Sequence, residues 1–224
     1  MADALSREIE PHVRAQLEAL ELDPARPLLA VDADEVLVVF AAELAAFVAG
    51  LGYEMRLTEY RLEGAIRAAD TGAPVPFDAA IGLIGRYFAE ASQAQPAMPG
   101  AAAALARLSS LAQVVVLTNV PRAARETRIA RLAELGMAYP LVENSGGKGP
   151  ALAWMAARAG APVAFIDDSP SQIESAARSL PGALHVHFTG SAFIAGVMPH
   201  CAAAGARAAD WEEAEALLSR HFGG

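Results

Sequence analysis

Five short apolar runs, each closed by a polar group or a turn, limit what this chain can fold into. They cover residues 28–31, 114–117, 141–142, 163–166 and 184–188. Runs of this length, rich in Val, Leu and Ile, read as strands buried on both faces. Stretches with helical character separate the later ones, at 101–111, 122–135, 150–159 and 171–179. Alanine fills close to a quarter of the 224 residues, which supplies that helix propensity. Strands alternating with helices predict an α/β fold, a Rossmann-like parallel sheet with helices on both faces. An amphipathic helix over 6–20 is expected before the first strand, and a closing helix over 210–221.

The rhythm breaks once. More than eighty residues separate the first run from the second, against about fifty between the second and the fourth. The gap reads as helices at 41–49, 57–69 and 77–94, punctuated by Gly50 and Gly52, by Gly72, Pro74 and Pro76, and by Pro96, Pro99 and Gly100. This predicts a core domain from 1–39 and 97–224, with a small α-helical cap domain from 40–96.

Composition excludes several functions. Hydrophobic residues make up 54% and charged residues 19%, so the chain is not disordered. The net charge is -9 and the sequence pI near 5.0, which gives no electrostatic footprint for nucleic acid or an anionic membrane. Cys201 has no intramolecular partner, which suits a reducing cytoplasm. Asp3, Glu8 and Glu10 argue against a signal peptide. Residues 179–206 lack Asp, Glu, Lys and Arg, but Pro181, His185, His187 and Pro199 favour a strand, a loop and a buried helix over a membrane span. A cytoplasmic monomer or homodimer is expected.

In open parallel sheets, ligands bind beyond the carboxyl ends of the strands. There the sequence places Asp32, Asp34 and Glu35 after the first strand, Thr118 and Asn119 after the second, and Asp167 and Asp168 after the fourth. Just before the fourth unit, in a Gly-rich turn, lies Lys148, the single lysine among sixteen arginines. Taken one at a time, each acid reads as a helix cap and each polar pair as a turn. Gathered at one sheet edge, they would repel unless a cation compensates. An all-oxygen ligand set suits Mg²⁺.

These residues resemble the four motifs of the haloacid dehalogenase superfamily. Leu29-Ala30-Val31-Asp32-Ala33-Asp34-Glu35-Val36-Leu37 is similar to the first motif, with Glu35 where glycine is frequent. Val116-Leu117-Thr118-Asn119 is similar to the second, Lys148 to the third, and Phe165-Ile166-Asp167-Asp168-Ser169-Pro170 to the fourth. The resemblance runs over roughly residues 28–188. It implies an Mg²⁺-dependent phosphatase that hydrolyses a small phosphorylated metabolite through an aspartyl-phosphate. Asp32 would be the nucleophile. Asp34 would be the general acid and base, and its backbone carbonyl a metal ligand. Asp32 and Asp167 would complete the metal site, with Asp168 either a direct ligand or a support behind the ligands. Thr118 and Lys148 would hold the phosphoryl oxygens, beside the Asn119 backbone.

A phosphomutase of the same fold is the alternative enzyme, and a degenerate member that binds a phosphorylated metabolite or a partner without turnover is the non-enzymatic one. Asp34 and the Asp167-Asp168 pair argue against metal-free dehalogenation. The lysine-free insertion argues against a Schiff-base phosphonatase. Arg56, Arg61, Arg67 and Arg86 in the insertion read first as solvated helix faces, with one or two available for a second anionic group. His185, His187, His200 and Cys201 fit no zinc spacing, and Trp154 and Trp211 read as packing residues.

Overall fold

The computed structural model describes residues 9–223. Six strands form one parallel sheet: β1 (Pro27–Val31), β4 (Gln113–Thr118), β5 (Leu141–Glu143), β6 (Gly160–Asp167), β7 (Leu184–Phe188) and β8 (Ala206–Ala208), in the order β5-β4-β1-β6-β7-β8. β1 is central. Val31 pairs with Val116 on one side and with Ile166 on the other. From β1 the chain winds out through β4 and β5, then crosses back to build β6, β7 and β8 on the opposite side. The reversal at β1 opens a crevice at its carboxyl end.

Successive side chains of the central strands enter opposite cores, as the two-residue period requires. Leu29, Val31, Val114, Val116, Ala164 and Ile166 pack on one face, with α4 (Ala101–Leu108) and α8 (Trp211–Gly223). Leu28, Ala30, Val115, Leu117 and Phe165 pack on the other, with α1 (Pro11–Glu18), α6 (Gly149–Ala156) and α7 (Pro170–Ser179). α5 (Arg125–Glu134) joins the first face through Leu132. The predicted start of the opening helix at 6–8 lies outside the described residues.

The segment between β1 and α4 centres on a third cluster, to which Val120 and Ala124 after β4 also contribute. α2 (Ala41–Ala49) and α3 (Phe77–Glu90) pack Leu44, Val48, Leu83, Tyr87 and Phe88 together, with Phe40 stacked on Phe88 at 5.6 Å. The expected helix over 57–69 is absent. An antiparallel ribbon stands there instead: β2 (Tyr53–Met55) pairs with β3 (Ile66–Ala68). Gly64 takes φ 74°, closed to a helix, and Ile66 is buried against that core. The insertion is therefore mixed, and only α2, α3 and a three-residue 3-10 turn at Ser92–Ala94 carry its helical content.

Residues 179–206 differ as well. β7 forms as predicted, but the buried helix does not. A short turn at Ala195–Val197 leads into β8. Gly190, Gly196, Pro199 and Gly205 leave no uninterrupted stretch for a helix. No helix among the described residues is long and apolar enough to cross a membrane.

Candidate active site

Asp32 follows β1 and accepts from its own neighbour, the Ala33 N–H, at 2.7 Å. Asp167 ends β6, completely buried, and accepts from the Ser169 N–H at 2.8 Å. Asp168 is the next residue. Each of the three offers an oxygen within 4.8 Å of the others. Lys148 stands between them, 1% exposed, with Nζ 2.6 Å from both Asp32 Oδ1 and Asp167 Oδ2. Separate strand ends thus deliver their groups to one crevice.

The lysine is held by its backbone as much as by its charge. Its N–H donates to Gln172 Oε1 at 2.8 Å, and the following Gly149 N–H donates to Ser175 Oγ at 3.1 Å. Asn119 braces the same loop, donating to the Gly146 carbonyl at 2.8 Å and accepting from Asn144 Nδ2 at 2.9 Å. Thr118 ends β4, 1% exposed, and its carbonyl accepts from the Asn144 N–H.

One ammonium faces three carboxylates here, and the electrostatics follow. Burial acts to lower the Lys148 pKa, but Asp167 and Asp32 outweigh it and hold the group above the ordinary lysine value. Burial raises the Asp167 carboxyl; Lys148 opposes this and Asp32 adds to it. Burial raises Asp168 further, and the Asp167 and Asp32 charges push the same way. Three carboxylates with one ammonium between two of them make a site that attracts a cation. The donor set is oxygen-only, and a hard dication such as Mg²⁺ fits it.

Asp34 is placed differently from the expectation for a free carboxyl. Its Oδ1 accepts from Arg128 Nη2 at 2.6 Å and from Gln95 Nε2 at 3.4 Å, two partners from outside the first motif. Burial raises its pKa, and the Arg128 guanidinium opposes that rise. Arg128 is buried, and Phe88 lies 5.9 Å beneath its guanidinium. Glu35 has φ 61°, which costs a side chain about 1 kcal/mol. Its Oε1 accepts from the Phe40 and Ala41 N–H groups at the start of α2, an N-terminal cap that offsets the strain. Glycine would relax the turn but leave those donors free.

The insertion reaches the acids through Tyr60, whose hydroxyl donates to Asp168 Oδ2 at 2.6 Å. Arg128, Gln95, Gln172 and Tyr60 were not singled out by the sequence. Only Arg128 carried a signal: it is spaced four residues from both Ala124, just before α5, and Leu132, all three buried on one side. The insertion arginines are engaged locally: Arg56 with Glu54, Arg61 with Glu59, Arg86 with Glu90, and Arg67 with the Gly72 carbonyl. His185 and His187 bond the Leu180 and Asp168 carbonyls. Trp211 donates to the Val36 carbonyl at 2.7 Å, pinning the turn after β1.

A cavity of about 260 Å³ opens beside Asp32, Asp34 and Asp168, walled by the insertion. A larger one of about 680 Å³ lies near His12, Arg122 and Tyr139 and touches none of the clustered acids. Position beside the reactive groups, rather than size, makes the first the candidate site.

No protein-family model matches the sequence, and no curated protein does. Solved structures match the fold. A HAD family hydrolase from Deinococcus radiodurans R1, with bound phosphate and sodium, has 18% identity and a TM-score of 0.60, covering 88% of this chain and 96% of that one. A haloacid dehalogenase-like protein from Agrobacterium tumefaciens has 16% identity and a TM-score of 0.58, covering 86% and 97%. The magnesium-bound HAD hydrolase YfnB from Bacillus subtilis has 13% identity and a TM-score of 0.56, covering 88% and 99%. The fold is haloacid dehalogenase-like.

Proposed function

We propose that the protein is an Mg²⁺-dependent phosphatase acting on a small phosphomonoester in a reducing, cytoplasmic compartment. One observation carries the reading: three carboxylates converge at the switch point of the sheet with a buried lysine fixed between two of them. The phosphate and magnesium bound by the Deinococcus and Bacillus proteins lend it support.

In the proposed reaction, an Asp32 oxygen attacks phosphorus and the bond from phosphorus to the ester oxygen breaks. The proton of the Asp34 carboxyl passes to the departing oxygen, leaving a carboxylate that Arg128 stabilises. That carboxylate next takes a proton from water as the water attacks the phospho-Asp32. The acyl phosphate bond breaks, phosphate departs and Asp32 is restored. Lys148 and Thr118 neutralise and orient the phosphoryl oxygens. Asp32, Asp167 and Asp168 would hold Mg²⁺, which supplies positive charge to those oxygens when bound. The insertion acts as a cap, with Tyr60 closing it over Asp168.

Asp32→Asn tests the reading. Phosphate release from simple phosphomonoesters should disappear while circular dichroism and melting stay close to wild type, and EDTA should silence the wild-type protein until Mg²⁺ is restored. A folded Asp32→Asn protein with near-normal turnover would overturn the nucleophile. Mass spectrometry of the variant guards against deamidation back to Asp.

A further inference from the structure

The cavity next to Asp32 has walls of unusual character for a phosphate-ester site. Phe40, Met55, Leu57, Leu62 and Ile194 line it. The polar side chains at its edge are largely committed elsewhere. The Tyr60 hydroxyl donates to Asp168, Arg61 pairs with Glu59 at 3.2 Å, and Asp34 is held by Arg128. Glu35 also borders the cavity, but its Oε1 caps α2 and its Oε2 is sealed from solvent, so its carboxylate offers the cavity no acceptor.

Two magnitudes decide what such a space accepts. A dry cavity of about 150 Å³ takes benzene, so about 260 Å³ holds a phosphoryl group at the Asp32 end with roughly one ring or a branched chain beyond it. Each hydroxyl buried against Leu, Met or Ile without a partner costs about 1–3 kcal/mol. A sugar would bury several.

We infer that the apolar cavity between Glu35 and the 55–62 segment receives the alcohol side of the substrate, and that the substrate is a phosphomonoester of a compact, mainly apolar alcohol. This rests on the phosphatase reading. It adds that the substrate is not a polyhydroxylated sugar, and it gives Leu57 and Leu62 the task of choosing it.

The experiment compares three primary-alkyl esters, so that leaving-group basicity does not bias the result: 2-phenylethyl phosphate, its ring-hydroxylated analogue 2-(4-hydroxyphenyl)ethyl phosphate, and glucose 6-phosphate. With the full chain and Mg²⁺, both aryl-ethyl esters should exceed glucose 6-phosphate in kcat/KM by at least about tenfold, and the unhydroxylated one should be the better of the two. Leu57→Asn and Leu62→Asn should each raise KM for 2-phenylethyl phosphate several-fold more than kcat changes, shrinking its advantage over glucose 6-phosphate. Glucose 6-phosphate hydrolysed as well as or better than 2-phenylethyl phosphate would overturn the inference while leaving a phosphatase. Phosphate release from none of the three would sink the phosphatase reading and this inference with it.

Discussion

Lys148 reaches Asp32 and Asp167 with a single nitrogen, 2.6 Å from each, at 1% exposure. An ammonium is compact enough to serve both acids from one point; a guanidinium is a wider planar fork that binds a carboxylate through two nitrogens. The sequence uses arginine at sixteen other basic positions and lysine only here. In the proposed reaction this nitrogen must stay between Asp32 and the incoming phosphoryl oxygens. Lys148→Ala should therefore lower kcat/KM on the order of a hundredfold or more, as for loss of a preorganised charge. Lys148→Arg should recover little of it, with folding checked by circular dichroism. A fully active Lys148→Arg protein would remove the lysine from the phosphate site. Asp34 makes the complementary point. The motif placed its carboxylate at the crevice, but the Arg128 partner comes from α5, ninety-four residues away. A contact of that sequence separation is written only as a basic residue in an apolar stripe, which by itself does not say what it faces.

Helices α6 and α7 meet through a glycine, and that meeting fixes the lysine loop. A Cβ at Gly149 would overlap the Ser175 carbonyl and the Ser179 hydroxyl. Backbone oxygen cannot swing aside, so Gly149→Ala should destabilise by about 1–3 kcal/mol or more and depress activity by shifting Lys148. Urea unfolding with turnover measured alongside checks both, and a variant as stable and as active as wild type would refute the close approach. Strand β7 offers a pH readout. Burial lowers the His185 pKa from the ordinary value of 6.5, against the pull of its bond to the Leu180 carbonyl. Its Nδ1 is buried without a partner among the described residues, so protonation would strand an N–H there. The unfolded chain then binds more protons below pH 6.5 than the folded one, and stability is lost as pH falls through that value toward the lower folded pKa. The fall in stability from neutral to mildly acidic pH should be shallower in His185→Gln; an equally steep fall would assign the effect to other groups. Periodicity announced these strands and helices because buried apolar positions impose it. It failed for β2, β3 and β8, three-residue strands that, unlike β5, hold no two adjacent large apolar residues and are fixed by pairing with a neighbour.

Across the whole molecule, the sheet order puts residues from β1, the β5–α6 loop and β6 into one crevice, and the sequence disclosed the participants better than their balance. Asp32, Asp167, Asp168 and Lys148 were legible because each follows or precedes an apolar run. The Tyr60 hydroxyl, the Glu35 cap and the cavity wall were not, because they depend on how residues 40–96 fold back over the strand ends. The balance itself has a consequence for stability. Three buried carboxylates with one ammonium leave like charges opposed in the folded chain but far apart in the unfolded one. A dication bound by those acids in the folded state alone stabilises it by mass action, about 2.7 kcal/mol at a hundredfold excess over the dissociation constant. For a chain of this size that corresponds to a rise of roughly 5–10 °C in Tm. Millimolar MgCl₂ should raise the melting temperature of the wild-type protein relative to NaCl of equal ionic strength, with no substrate present. Asp167→Asn removes one of the three carboxylates and relieves part of their repulsion, so its metal-free melting temperature should suffer little while the Mg²⁺-dependent rise is lost. A wild-type protein indifferent to Mg²⁺, or an Asp167→Asn variant that keeps the full rise, would mean that these acids do not hold the ion.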